Sequence, residues 1–80
     1  MRVHVILEDN SALSDLPAYV HSVAFVNRED AHKHMVEEAC DLLAVSENPD
    51  LRLVDLGHRV DILHNDQWVG MFEIQVLEVK

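Results

Sequence analysis

The chain has 80 residues and a mass of 9.1 kDa, which fits one domain over residues 1–80 and leaves no room for a second. Hydrophobic residues make up 49%, which argues against wholesale disorder, and at this size folding buries roughly 63% of the unfolded surface. Fifteen Asp and Glu oppose six Lys and Arg, a formal charge of −9, so the basic stripe of a direct nucleic-acid binder is missing and anionic membrane surfaces are disfavoured.

The two glycines, Gly57 and Gly70, cannot form the glycine-rich turn of a P-loop or dinucleotide site. The single cysteine, Cys40, excludes an internal disulfide and fits a reducing compartment. The N-terminal residues lack the pattern of a signal peptide. No window approaches 18 apolar residues, too short a run for a spanning helix. The expected location is therefore cytoplasmic.

In chain order, Arg2 to Glu8 predicts a first strand, with Val3, Val5 and Leu7 on one face and Ile6 on the other. Residues 10–18, with Asn, two Ser, Asp and Pro17, predict a loop. Tyr19 to Val26 predicts a second strand whose Tyr19, His21, Val23 and Phe25 share the bulkier, core-facing side. Asn27 is a helix cap, and acidic Glu29 and Asp30 suit the first turn. The helix should run from Arg28 to Val45. Its apolar stripe is Ala31, Met35, Ala39, Leu42 and Leu43, widened by Val36 and Cys40. Cys40 is expected to be a buried structural thiol. Residues 46–50 carry turn chemistry around Pro49.

Leu51 to Leu56 suits either a strand or a short helical turn, and Gly57 marks a bend or bulge. His58 to Leu63 predicts a strand, and Asn65–Asp66 centres a turn tolerant of left-handed backbone. Trp68 to Val79 predicts a long last strand, with Gly70, Phe72, Ile74 and Val76 on one face and a change of apolar face, or a bulge, near Val76. The expected fold class is α+β, in the order β-β-α-β-β. A sheet of about four strands, antiparallel or mixed, packs one long helix on one face. The other face is left uncovered, with Ile6, Val20, Val26, Val69, Met71, Leu77 and Val79 as its candidates. Burying them takes a second copy or a partner.

Six histidines are present: His4, His21, His32, His34, His58 and His64. His32 and His34 are two apart on the helix and point to different sides, so they do not chelate together. His4 and His21 are candidate cross-strand neighbours in the first hairpin. No HExxH-like spacing occurs. No metal ligand, cofactor or catalytic residue is assigned. Glu37, Glu38 and Asp41 form an acidic patch on the helix, and Trp68, Val69 and Met71 open the last strand. Together these six residues are the candidate interaction surface.

The stretch VAFVNREDAHKHMVEEA at Val23 to Ala39 joins a strand ending in an aromatic to a capped helix start, and Ile74 to Val79 closes on a strand with Glu near its end. In this it resembles small phage and bacterial α+β proteins of unknown function. The resemblance implies an accessory or regulatory role and carries over no catalytic residue. The expectation is a non-enzymatic protein that acts through protein contacts, as a homodimer. Two alternatives stand beside it. One is an acidic inhibitor or nucleic-acid mimic docking on a basic protein. The other is a histidine-dependent metal or small-ligand binder.

Overall fold

Among the described residues, the chain folds into five antiparallel strands and one helix. The computed structural model describes residues 1–13 and 16–80. The strands are β1 (Arg2–Asp9), β2 (Tyr19–Phe25), β3 (Leu51–Asp55), β4 (Arg59–His64) and β5 (Gln67–Glu78), and the helix α1 (Arg28–Ser46) lies between β2 and β3. The strand order in the sheet is β2-β1-β5-β4-β3. The ambiguous stretch after Pro49 is thus a strand: Leu51 to Asp55 pair residue by residue with His64 to Val60. Ser14 and Asp15, assigned to the first loop by sequence, lie outside the described residues.

Local chemistry sets the boundaries. Asn27 accepts from the Glu29 amide at 2.8 Å, which starts α1, and Glu47 ends it in a left-handed conformation at φ 53°. Beyond it, the side chain of Asn48 accepts from the Asp50 amide at 2.9 Å. Asn65 and Asp66 both have positive φ, 50° and 66°, the conformation a two-residue hairpin needs at both central positions. Gly57, at φ 88°, supplies the bend between β3 and β4, and its amide donates to Asp55 at 2.8 Å.

Pairing registers decide which residues share a face. β1 runs beside β5 without a slip, from Arg2 opposite Glu78 to Asp9 opposite Met71. Ile6, Val60, Ile62 and Phe72 therefore face α1 and are 0–1% exposed, packed with Ala31, Met35 and Ala39 of the helix. The two alanines let the helix approach closely, and Met35 fills the space between them. Ile6, expected on the uncovered side, lies in this core. Val3, Val5 and Leu7 are on the uncovered side instead, because β1 pairs in phase with Phe72.

The slip expected near Val76 falls elsewhere. His4 stands opposite Val76 in unbroken register, and the slip occurs between Ile62 and Leu63, where β4 meets the start of β5. It brings Trp68 opposite Leu63. A second irregularity lies in β2, which takes four steps, Val20 to Ala24, against two steps of β1, Val5 to Leu7. His4 stands opposite Phe25, not His21. Cys40 is exposed, since Ala39 takes the sheet-facing position and the next residue is rotated by about 100°.

Candidate functional site

Two features stand out from the scaffold: a chain of polar side chains between β1, β2 and α1, and the bare side of the sheet. The polar chain centres on Glu8. Its position on β1 is two residues from Ile6, on the face toward the helix, and only 7% of it is exposed. Three donors compensate the buried carboxylate. The Tyr19 hydroxyl donates at 2.9 Å and Asn10 Nδ2 at 2.8 Å. His21 Nε2 lies 2.7 Å from Glu8 Oε1. The side chains of this His–Glu pair are 10% and 8% exposed.

From His21 the chain continues. Its Nδ1 shares a hydrogen bond with His34 Nε2 at 3.2 Å, and that nitrogen is 3.9 Å from Glu38 one helical turn on. Tyr19 stacks on the His21 ring at 5.4 Å, and Phe72 meets it edge-on at 6.0 Å. Phe25 lies against His34 at 5.1 Å. Burial and the Glu8 carboxylate raise the Tyr19 hydroxyl above its ordinary pKa, because both oppose a phenolate there. Asn10 Oδ1 is buried without a hydrogen-bond partner among the described residues.

Asn10 is fixed by close backbone approach. A Cβ on Gly70 would lie 3.0 Å from the Asp9 carbonyl oxygen and 3.3 Å from Asn10 Cα. Glycine at this position lets the end of β1 settle over β5 and aim Asn10 at Glu8. On the other flank of α1, His32 pairs with Asp55 at 2.9 Å. The two helix histidines thus serve opposite sheet edges, as their spacing predicts. Asp55 is held below the ordinary carboxylate value first by the Gly57 amide, then by His32.

The uncovered side of the sheet carries Val3, Val5, Leu7, Val20, Val54, Leu63, Trp68, Met71 and Leu77 by register. Trp68 is 47% exposed, Val20 49% and Leu77 48%. The Trp68 indole N–H donates to Asp61 at 3.2 Å, and Arg59 pairs with the same carboxylate at 2.7 Å.

The six residues of the predicted interaction surface do not come together. Trp68 and Met71 lie on the bare face, and Val69 packs against the core. Glu37, Glu38 and Asp41 are on α1, across the sheet, where Glu38 joins the polar chain and Glu37 and Asp41 are exposed. Glu8, Asn10 and the His21–His34 contact were missed. Only His21 carried a signal, on the core-facing side of its strand; Glu8 shares the parity of Ile6, which the apolar pattern of β1 assigns to the uncovered side.

Among the described residues, no three His, Cys, Asp or Glu groups form a ready ligand set for a metal. No helix among them is long and apolar enough to cross a membrane. No protein-family model matches the chain, and neither a curated protein nor a solved structure matches it significantly.

Proposed function

We propose that the protein acts through protein–protein contact, as a homodimer joined across the uncovered side of its sheet. The supporting observation is that this side carries exposed apolar residues, Trp68, Val20 and Leu77 among them, together with nearly balanced charge on a strongly acidic chain. Its cations are Arg52 and Arg59, and its carboxylates are Asp9, Asp61 and Glu73, by register. A second copy can stack on it with little like-charge repulsion, although each chain carries −9 overall.

The size is also adequate. Five strands of 5 to 12 residues, at about 4.8 Å spacing and about 3.4 Å per residue, give a flat footprint of roughly 600 Å². Side-chain relief brings this near the ~800 Å² per partner of a stable interface. The exposed acids of α1, Glu29, Asp30, Glu37 and Asp41, lie on the opposite side. In a sheet-to-sheet dimer they stay outermost on both copies and keep the assembly soluble.

The test is sedimentation velocity on the native chain, Met71→Glu and Glu37→Lys. Met71 is on the bare face and outside the helix–sheet core, so the charge should abolish association while far-UV circular dichroism stays native. Glu37→Lys should still associate. Equal sedimentation of all three would contradict the proposal.

A further inference from the structure

We propose that the outer edge of β2, with the groove beside α1, takes an extended basic segment of another protein, which adds to the sheet as a further strand. This surface is separate from the dimer face, which lies across the sheet. The first observation is the edge itself. β2 ends the strand order, so among the described residues one side of its backbone has no strand beside it. Exposed edges are commonly blunted by charged residues or proline. The other outer strand, β3, follows this rule, with Arg52 and Asp55 in five residues. β2 does not. Its seven residues, YVHSVAF, include no Asp, Glu, Lys, Arg or Pro, and Tyr19, Val20 and Val23 are exposed.

The second observation is the space next to this edge. Three shallow depressions of about 310, 280 and 210 Å³ follow one another beside α1. The first two share His34, and the last two share Tyr19 and Glu38. Together they make a groove from Asp30 to Val45. Over that stretch the helix rises about 22 Å, at about 1.5 Å per residue, which is the length of about six or seven extended residues. β2 has seven, so a strand that pairs along all of β2 also fills the groove.

Charge selects the occupant. The helix wall of the groove carries Asp30, Glu37, Glu38 and Asp41, with Lys33 as its cation. Alternate side chains of an added strand point to the same side, so Lys or Arg at every second position meets these carboxylates while the backbone pairs with β2. Main-chain bonds then supply affinity, and the alternate side chains supply specificity. A second copy of this chain fits the edge poorly. Antiparallel pairing of β2 with its twin sets both helices side by side on one face of the joined sheet, acid against acid.

The test titrates the native chain with a synthetic peptide that alternates lysine and valine over seven residues, the length of β2. Calorimetry reads affinity and amide hydrogen exchange reads pairing. The expected result is one peptide per chain, with exchange slowed at outward amides of β2. The same peptide with every backbone nitrogen methylated keeps its charge but cannot donate to the sheet, and should bind at least ~10-fold more weakly. A peptide that alternates glutamate and valine should not bind. Glu37→Lys should bind the lysine peptide about 5-fold more weakly. Asp50→Lys makes the same charge change next to β3, at the far edge, and should bind as the native chain does. Glu37 is exposed and lies off the dimer face, so lost peptide binding in this variant is distinct from a failure of the dimer. No saturable binding, equal affinity for the methylated peptide, or equal affinity in Glu37→Lys overturns the proposal. So does slowed exchange at β2 that rises with protein concentration without peptide and persists in Met71→Glu, which would put a second copy on the edge.

Discussion

Glu8→Ala removes the acceptor on which three side chains converge. His21 and Asn10 lose it within the protein, where the buried donors gain no water in exchange. A buried donor left unpaired costs about 1–3 kcal/mol, so these two together cost about 2–6 kcal/mol. Tyr19 adds little, since it is 45% exposed and its hydroxyl can turn to solvent. The whole fold has about 4–12 kcal/mol at this length, so Glu8→Ala removes a large part of it. At a urea slope near 1 kcal/mol per molar, a 3 kcal/mol loss moves the midpoint down by about 3 M. Glu8→Gln keeps the volume and one carbonyl acceptor for Tyr19 and His21, and should lose clearly less. Tyr19→Phe should cost about 1 kcal/mol, and that cost should vanish in the Glu8→Ala background. Urea denaturation followed by far-UV circular dichroism measures all four. A loss under about 1 kcal/mol for Glu8→Ala would refute the claim that the carboxylate organises the polar chain.

Gly70→Ala places a methyl group 3.0 Å from the Asp9 carbonyl oxygen and should cost about 1–3 kcal/mol by overpacking, measured by the same denaturation. Cys40 is exposed and should react with a thiol reagent in the native state at a rate near that of the unfolded chain; a reaction limited by unfolding would place it in the core after all. Asp55 sits below its ordinary value of 3.8 because of the Gly57 amide and His32. Its stabilisation is present above pH 3.8 and is lost as pH falls through the folded value. The stability gap between native protein and Asp55→Asn should therefore narrow in acid, and a gap constant from pH 7 to pH 3 would contradict this.

Much of the fold was legible because its signals are local. Asn27 needs only the next two residues to act as a cap, and Asn65–Asp66 needs only its own backbone to make the hairpin. The bulk of Phe25 and Phe72 identified the helix-facing side of their strands. Ile6 was misassigned because Val3, Val5 and Leu7 outweigh it on β1 alone. Its burial depends on β1 pairing in phase with β5, a partner more than 60 residues away in sequence. Cys40 failed for a subtler reason: the apolar stripe was drawn too wide, and Ala39 already fills the sheet-facing place. Leu51 to Asp55 alternates apolar and polar residues, yet is too short to be distinguished from a helical turn without its partner strand. The polar chain needs three registers at once, those of Glu8, His21 and His34, and the irregularity in β2 between Val20 and Ala24 leaves no mark in the pattern.

The bare face of the sheet governs the proposed role, and solution mass tests it most directly. Light scattering on the native protein at micromolar concentration should give about 18 kDa, twice the chain mass of 9.1 kDa, falling toward the monomer on dilution. A single species at 9.1 kDa across that range would contradict the dimer.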